Sequence, residues 1–306
     1  MNRRTYLKWQ GAMLLTAAVG GPAAVLAQDT LAKTFPDIAV AKGQPAAAAR
    51  AAVNAIGGMK RFVKSGQKVV IKPNMSFAKG PEAATNTHPD VVREIVIMCK
   101  EAGAGRIRVL DHSLQNPEQS LIRSGIRDAV NSVESGICHH LMEERFYANA
   151  SIPNGAEMKS NMFMKDVLDA DVIIAVPVAK SHGSSGCSLS LKGQMGLIFD
   201  RRIMHYRYNL ATAIVDLNTL IKPHLAVIDA TRVLTTDGPG GAGLIITPGE
   251  VIASADAVAA DAFAVSSYEW YGRKIKPEQT AYLRIAHERG IGRIDIDNLE
   301  CRRVKA

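Results

Sequence analysis

From residue 35 onward, short apolar runs alternate with longer stretches whose apolar residues recur at helical spacing. Residues 68–71 form a β-branched run typical of a strand, and residues 106–110 form a second one. Between them, residues 89–103 predict a helix, because a single face would carry Val92, Ile95, Val96 and Cys99. The order predicts a β-α-β unit.

The remainder of the chain repeats this alternation. We predict further helices and strands, the helices over 45–59, 210–220 and 257–268, and the strands over 170–176, 225–228 and 251–253. Continuous apolar runs are typical of strands covered on both faces. The pattern therefore predicts an α/β fold with a mostly parallel open sheet and helices on both faces. Residues 115–165 are more polar and less regular, and we expect them to form an insertion beside the sheet.

The first 27 residues have the three parts of an export signal. Arg3-Arg4 lies in a basic segment, an apolar run covers residues 12–19, and small residues precede a cleavage site after Ala27. Paired arginines predict the twin-arginine (Tat) route, with its translocation machinery as a partner and the periplasm as the destination. The competing hypothesis of a membrane anchor needs roughly 20 apolar residues, and Gly20-Gly21-Pro22 interrupts this run. We expect a mature domain of residues 28–306 without a stable membrane span.

The net charge and the spacing of the cysteines argue against several classes of function. Removal of Arg3, Arg4 and Lys8 lowers the formal charge from +8 to +5, and the remaining basic residues form no dense stripe, so nucleic acid is not an expected partner. The four cysteines contain no C-x-x-C pair, which argues against an iron–sulfur cluster or a structural zinc site in this chain. Nothing in their spacing selects a disulfide pairing.

In an open parallel sheet, ligands bind beyond the carboxyl ends of the strands. The predicted strands end in polar residues, which gives the candidate site residues Lys72, Asn74, Lys180, Ser181, His182, Asp229 and Asp237, with Asp111, His112 and Ser113 following another strand.

The densest of these segments runs from Lys180 to Cys187 and is rich in glycine and serine. Glycines let backbone N–H groups turn toward an anion, so the segment predicts a phosphate or carboxylate cradle; a flexible loop with solvated charges is the alternative. It is not a nucleotide P-loop, and the glycine triplet Gly238, Gly240, Gly243 is followed by Pro248 where a dinucleotide fold needs a helix.

Downstream, helical spacing would bring Arg201 and His205 to one face, with Lys192 just upstream. These residues, together with Lys180 and His182, predict a pocket for an acidic ligand, and a basic surface helix is the alternative reading.

Other polar residues have plainer interpretations. Asp256 is expected to cap the helix that begins near residue 257, and Asp261 to be a polar residue of that helix or a general base. Adjacent side chains diverge, so Cys138-His139-His140 is a poor metal triplet and no metal site is predicted. Cys187 is expected to be an inert small residue rather than a thiolate activated by His182.

Many short segments, in order along the chain, resemble the domain of unknown function 362 (DUF362) family. They include Lys72-Pro73-Asn74, Thr87-His88-Pro89, Val172-Ile173-Ile174, Lys180-Ser181-His182, Leu191-Lys192-Gly193 with Gly196, Arg201 with His205, Asp237-Gly238-Pro239, and Ser254-Ala255-Asp256 with Asp261. The resemblance covers roughly residues 37 to 270. Many members carry a ferredoxin-like iron–sulfur module or occur beside redox proteins, but this chain lacks the cysteines that such a module requires, so the resemblance implies no cluster here. The family usually reads Lys-Asn where this chain has Lys192-Gly193, so no role for that amide is carried over.

The sequence therefore predicts an exported enzyme that acts on or with a small anionic ligand. His182, Lys180 and Asp229 are the expected catalytic residues, and the expected ligand-binding residues are Lys72, Asn74, Ser181, Lys192, Arg201, His205 and Asp237. The alternative is a non-catalytic periplasmic protein that holds a metal or cofactor for a redox partner protein.

Overall fold

The computed structural model describes residues 35–306, so the expected export signal and its cleavage site at Ala27 lie outside the described residues. Along this part of the chain the strands are β1 Ile38–Lys42, β2 Lys68–Pro73, β3 Arg106–Asp111, β4 Cys138–His140, β5 Tyr147–Ser151, β6 Ser160–Met164, β7 Val172–Val176, β8 Val178–His182, β9 Gly186–Ser188, β10 Leu225–Leu234, β11 Ile245–Ile246, β12 Glu250–Ser254, β13 Glu269–Trp270, β14 Arg273–Lys274 and β15 Cys301–Lys305.

The α-helices of the same region are α1 Pro45–Ala55, α2 Pro89–Glu101, α3 Pro117–Arg123, α4 Ile126–Asn131, α5 Lys165–Leu168, α6 Ser190–Gly193, α7 Ile203–Tyr206, α8 Leu210–Leu220, α9 Ala257–Ser267 and α10 Ala281–Glu288. The first three begin with proline, whose fixed φ suits the first helical position and whose missing N–H is not needed there. Across residues 35–306, none of the helices is both long and apolar enough to cross a bilayer.

The main sheet has the strand order β15-β1-β12-β10-β7-β2-β3-β4. Strands β10, β7, β2, β3 and β4 pair in parallel, whereas β12 runs antiparallel to both of its neighbours. Helices α1, α2 and α4 share one hydrophobic cluster with one face of the sheet, and α8, α9 and α10 share another with the opposite face. The predicted α/β class, with a mostly parallel sheet between two helical layers, is confirmed.

Alternation along the central strands divides the core between the two faces. In β2, Val69 and Ile71 belong to the cluster under α1 and α2, while Val70 belongs to the cluster under α8 and α9. Because successive side chains of a strand point to opposite faces, a strand covered on both sides must be apolar throughout. This explains why the sequence shows continuous apolar runs.

The segment 115–165 is more closely tied to the sheet than its sequence indicates. Its strand β4 extends the sheet in parallel to β3, with Cys138 opposite Val109, while β5 and β6 form a separate two-stranded sheet. β4 has three residues and two of them are histidines, so it gives no apolar run to detect.

Strands β8 and β9 form a hairpin that follows β7, one of the central strands of the sheet. β7 and β8 are separated by Pro177, and β10 pairs first with β7 and then with β8, with a register shift between Asp229 and Leu234. β10 therefore continues to Leu234, well past the predicted residue 228. After β8 the chain reverses direction, and β9 pairs with β8 in an antiparallel hairpin. This hairpin lies beyond the carboxyl ends of the parallel strands.

A buried carboxylate on α8 fastens the β5–β6 connection. Asp216 is fully buried, and it accepts hydrogen bonds from three successive N–H groups of residues 156–158 at 2.7 to 2.9 Å. It also pairs with the Arg289 guanidinium at 2.7 Å. Burial alone would raise the pKa of Asp216, but the N–H donors and Arg289 outweigh it and hold the pKa below its usual range.

Asp216→Asn should lower the free energy of unfolding by about 3 kcal/mol at pH 7, because it leaves Arg289 without its charged partner. A lowered folded-state pKa contributes stability above the unfolded value of about 3.9, and this contribution is lost as the pH falls through the folded-state pKa. Urea unfolding should therefore show a smaller difference from wild type at pH 3 than at pH 7. The matched control is Glu288→Gln, which removes an exposed ion pair with Arg284 and should cost less than about 0.5 kcal/mol. An equal loss at both pH values would contradict the assignment.

Candidate functional site

A cavity of about 220 Å³ lies at the carboxyl ends of β2, β3 and β8. We call it the cation pocket, and its walls are Lys72, Asn74, Ser76, Phe77, Asp111, Leu114, Lys180, His182, Ser188, Lys192, Gly193, Met195, Gly196, Arg201, His205 and Pro239. Three lysines and an arginine line it, and Asp111 is the single carboxylate among the described residues that do so. The structure thus brings most of the predicted site residues to one place.

Lys72 and Asp111 form an ion pair at the floor of the cation pocket. Both are almost fully buried, and Lys72 Nζ lies 3.1 Å from Asp111 Oδ1. The other carboxylate oxygen accepts hydrogen bonds from the N–H of Met75 at 3.1 Å and the hydroxyl of Ser76 at 2.8 Å. Burial would raise the pKa of Asp111, but Lys72, and with it His140 and Arg201, lowers the pKa below its usual range. Asp111 is therefore an ionised partner that fixes the ends of β2 and β3.

Lys180, on β8, has a strongly lowered pKa. Its side chain is 3% exposed, its ammonium donates to the carbonyl of Thr85 at 2.6 Å, and Nζ lies 5.1 Å from the centre of the Phe77 ring. Burial, aided by the neighbouring charges of Lys72, Lys192 and Arg201, lowers the pKa of Lys180 to about 7, although Asp111 opposes the shift. An amine in this state can gain or lose a proton near neutrality.

Lys192 and Arg201 supply positive charge on the opposite wall. Burial and the nearby Arg201 lower the pKa of Lys192 to about 8. Burial also lowers the pKa of Arg201, whose guanidinium makes no hydrogen bond or ion pair with any residue the structure describes. Like charges held together in a buried site without enough carboxylates favour an anionic ligand.

The two histidines of the pocket are stacked on each other. The rings of His182 and His205 lie 6.2 Å apart and nearly parallel. Burial, followed by Lys192, His205 and Lys180, lowers the pKa of His182 to about 3. The imidazole is therefore neutral at pH 7. Its Nδ1 accepts a hydrogen bond from the N–H of Ser184 at 3.1 Å, so Nε2 carries the proton and can donate.

Side-chain alternation in the β8–β9 hairpin decides which of its residues reach the pocket. Lys180 lies opposite Ser188 in the ladder, and both line the pocket, as does His182. The residues between them, Ser181 and Cys187, point the other way. The segment predicted as an anion-cradling loop is thus a hairpin, and its lysine and histidine side chains, rather than turned backbone N–H groups, face the pocket.

Ser181 does not line the cation pocket but holds a neighbouring loop. Its hydroxyl accepts a hydrogen bond from the N–H of Gly238 at 2.9 Å. A Cβ at Gly238 would collide with the backbone carbonyl of Ser181, so the glycine is needed for this close approach. Asp237 makes a side-chain hydrogen bond with Thr236 and does not line the pocket either.

Asp229 is also absent from the pocket wall, because other groups occupy its carboxylate. It accepts hydrogen bonds from the N–H of His88 at 2.7 Å and the hydroxyl of Thr231 at 2.6 Å, and it pairs with Arg232 at 2.7 Å. The residue is fully buried. This geometry gives Asp229 a role in anchoring the start of α2 and corrects its expected place among the catalytic residues.

The two aspartates near α9 have separate structural roles. Asp256 accepts hydrogen bonds from the N–H groups of Val258 and Ala259, so it caps α9 as expected. Asp261 is fully buried and accepts from the N–H groups of Ser190 and Leu191 at 2.8 and 3.0 Å. It thereby fixes the start of α6, the short helix that carries Lys192. Burial raises the pKa of Asp261 to about 7.

Cys187 and His140 lie outside the pocket wall and contact neighbouring protein groups. Cys187 is buried 3.4 Å from the Tyr282 hydroxyl, and burial raises the pKa of its thiol to about 12. His140 Nδ1 lies 3.1 Å from the Asp111 carbonyl oxygen. Within residues 35–306, no group of three or more His, Cys, Asp or Glu residues is arranged to hold a metal ion.

Sequence reasoning missed the pairing role of Asp111 and the walls formed by Phe77 and Met195. Asp111 was visible as a polar residue at a strand end, but its pairing with Lys72 depends on the lateral order of β2 and β3. Phe77 and Met195 carry no polar signal, and no feature of the sequence marks them as part of a site.

The fold and the pocket together define an α/β protein with a buried, cation-lined site at the carboxyl edge of a mostly parallel sheet. The chain belongs to the family described as a domain of unknown function (DUF362), whose model matches residues 69–266. That range begins in β2 and ends in α9, so it includes every residue that lines the cation pocket.

The chain is similar to a thylakoid-associated protein of Synechocystis sp., with 22% identity over 204 residues. The match covers 64% of this chain and 62% of that relative, so the chain spans less than two thirds of the length of the relative. Among solved structures it is similar to the lactate racemase apoprotein of Thermoanaerobacterium thermosaccharolyticum, with a TM-score of 0.47 and 13% identity over 76% of this chain and 58% of that one. A structural-genomics protein of Thermotoga maritima gives a TM-score of 0.39 and 12% identity over 66% of this chain and 54% of that one.

Gly196→Ala should disturb the ion pair of the cation pocket. A Cβ at this position would overlap Asp111 Oδ1 and lie 3.0 Å from Lys72 Nζ, and both groups are buried. We expect the free energy of unfolding to fall by about 1–3 kcal/mol and the binding of sulfate to weaken. Thermal denaturation and isothermal titration calorimetry measure the two effects. The matched control is Gly183→Ala in the turn between β8 and β9, where an added Cβ meets nothing within 4 Å. Equal behaviour of the two variants would contradict this packing argument.

Proposed function

We propose that this chain is an exported enzyme that acts on a small anionic substrate held in the cation pocket. The observation that carries the proposal is the charge imbalance of a buried site: Lys72, Lys180, Lys192 and Arg201 face a single carboxylate, Asp111. Burying like charges is costly unless a counter-charge is present. A bound carboxylate or phosphoryl group supplies that counter-charge and stabilises all four cations together.

Lys180 is the residue proposed to move a proton. With a pKa of about 7, a substantial fraction of the amine is neutral at physiological pH and can act as a general base or as a nucleophile toward a carbonyl carbon. Neutral His182 lies on the same strand and is proposed to hydrogen-bond the substrate. Lys72, kept in place by Asp111, and Arg201, which lacks a partner among the described residues, are proposed to bind the negative charge.

Lys180→Met should weaken sulfate binding at least about tenfold, which corresponds to about 1.4 kcal/mol. Methionine keeps the length of the side chain and removes the ammonium, so the melting temperature should change little. Calorimetric titration with sulfate measures the affinity. The matched control is Lys222→Met, because Lys222 donates to the carbonyl of Ile291 outside the cation pocket and should not affect binding. Wild-type affinity in Lys180→Met would contradict the pocket assignment.

The same titration should depend on pH with a defined sign. Sulfate does not titrate between pH 6 and 9, whereas Lys180 and Lys192 lose their protons as the pH rises through about 7 and about 8. The anion binds the protonated forms, so affinity should fall as the pH rises across this interval, with uptake of protons on binding. Lys180→Met should lose the part of the fall near pH 7 and keep the part near pH 8. An affinity independent of pH would contradict the assigned charges.

Export is proposed from the amino-terminal sequence. Arg3-Arg4 is the feature that supports the twin-arginine route, and small residues up to Ala27 support cleavage. In a bacterial host with a working twin-arginine pathway, the wild type should reach the periplasm with Gln28 as its new first residue. Arg3→Lys combined with Arg4→Lys should leave the protein in the cytoplasm. Cell fractionation and amino-terminal sequencing measure both, and unchanged export of the double variant would contradict the route.

Mass spectrometry of the natively purified protein separates catalysis from cofactor holding. A stoichiometric, tightly held group without turnover of any anionic substrate would favour the alternative of a periplasmic protein that presents a cofactor to a redox partner. An open pocket that binds sulfate reversibly supports the enzyme.

A further inference from the structure

A second cavity adjoins the cation pocket. Its volume is about 410 Å³, and its walls are His112, Ser113, Leu114, Met142, Phe199, Asp200, Arg201 and Arg202. Leu114 and Arg201 belong to both cavities. The two cavities therefore meet at Arg201 and Leu114. The Arg201 guanidinium has no hydrogen-bond or ion-pair partner among the described residues, and the Leu114 side chain is apolar.

An ordered aromatic cluster supports one wall of the second cavity. The rings of Phe199 and Tyr147 lie 5.1 Å apart, and His112 lies 6.1 Å from each of them. The Tyr147 hydroxyl donates to the carbonyl of Leu141 at 2.5 Å and lies 3.1 Å from His112 Nδ1. These contacts fix the Phe199 ring, so the cavity is preformed rather than made by a loose side chain.

Leu114 is an exposed apolar residue at the candidate site. Its side chain is 55% exposed at the junction of the two cavities, whereas its backbone N–H is held by the carbonyl of Ser76 at 3.2 Å. Met142 faces the same cavity. Together with Phe199 these residues form an apolar surface that a ligand of matching character would remove from water.

The volume of the cation pocket is small compared with that of ordinary small-molecule sites. At about 220 Å³ it admits a charged group of a few atoms, below the roughly 300–1,000 Å³ of ordinary small-molecule sites. The adjoining 410 Å³ is sufficient for a group of the size of an aromatic ring. Arg201, at the boundary, can contact a negative group while the remainder of the molecule lies against Leu114, Met142 and Phe199.

We propose that the substrate is a two-part anion, whose charged group occupies the cation pocket and whose aromatic or similarly sized apolar body occupies the adjoining cavity lined by Leu114, Met142 and Phe199. This inference rests on the proposed function, because it names the class of substrate for the same site. The anionic group can be a carboxylate or a phosphonate-like group, since both offer oxygens to lysine and arginine donors.

The test compares two pairs of probes that share a charged group, methylphosphonate with phenylphosphonate and acetate with benzoate. Affinities are measured by calorimetric titration of the full mature protein at pH 6.5. The phenyl member of a pair should bind at least about tenfold more tightly, because it buries apolar area against the second cavity. The pair that shows this gain identifies the anionic group.

Two variants test whether the tighter binding of the phenyl probes comes from contacts with the second cavity. Met142→Gln changes a wall of the second cavity alone, and it should reduce the phenyl gain at least about threefold and leave binding of the methyl probes unchanged. Leu114→Ser changes the exposed side chain that both cavities share, and it should reduce the phenyl gain by a similar factor. Leu168→Ser is the matched control, because Leu168 is an exposed leucine that lines another cavity. It should leave every affinity unchanged.

The outcomes separate this inference from the proposal on which it rests. Binding of the methyl probes without any phenyl gain would overturn the two-part substrate and leave the anion site standing. A phenyl gain that survives in both Met142→Gln and Leu114→Ser would also overturn it, because the ring would then lie elsewhere. Absence of binding by all four probes would overturn the proposed function itself.

Discussion

The buried ion pair between Lys72 and Asp111 is the interaction on which the site depends. It joins the ends of two neighbouring parallel strands, and it places an ionised carboxylate where Lys180, Lys192 and Arg201 also converge. Without that carboxylate the pocket would contain cations alone, and their repulsion in a dry environment would oppose folding. With it, the pocket remains positive but is stable enough to persist, and the remaining charge imbalance is available for a ligand.

The lowered pKa values of Lys180 and His182 have two causes. Burial is the larger one, and the neighbouring cations add to it because each positive charge makes a further protonation harder. Asp216 and Asp229 are also buried, but each of them has a charged partner, Arg289 and Arg232 respectively.

Much of the sheet and of the cation pocket could be predicted from the sequence because two general rules apply to them. Continuous apolar runs identified the central strands, and the rule that sites lie beyond their carboxyl ends selected Lys72, Lys180 and His182. The rules fail where a residue's environment is set by distant parts of the chain. Asp229 follows an apolar run in the sequence as Asp111 does, yet in the structure it lies within β10, and Arg232 and the start of α2 occupy its carboxylate. Ser181 lies between two pocket residues and points away because β8 is a strand rather than a loop.

The β8–β9 hairpin separates the polar lining of the pocket from the pairing that fixes the sheet. Its pocket-facing positions, Lys180, His182 and Ser188, lie beyond the pairing of β7 with β2 that fixes the parallel sheet. Substitution at these three positions would therefore change the charge and the hydrogen-bonding groups of the pocket without changing the register of the central strands.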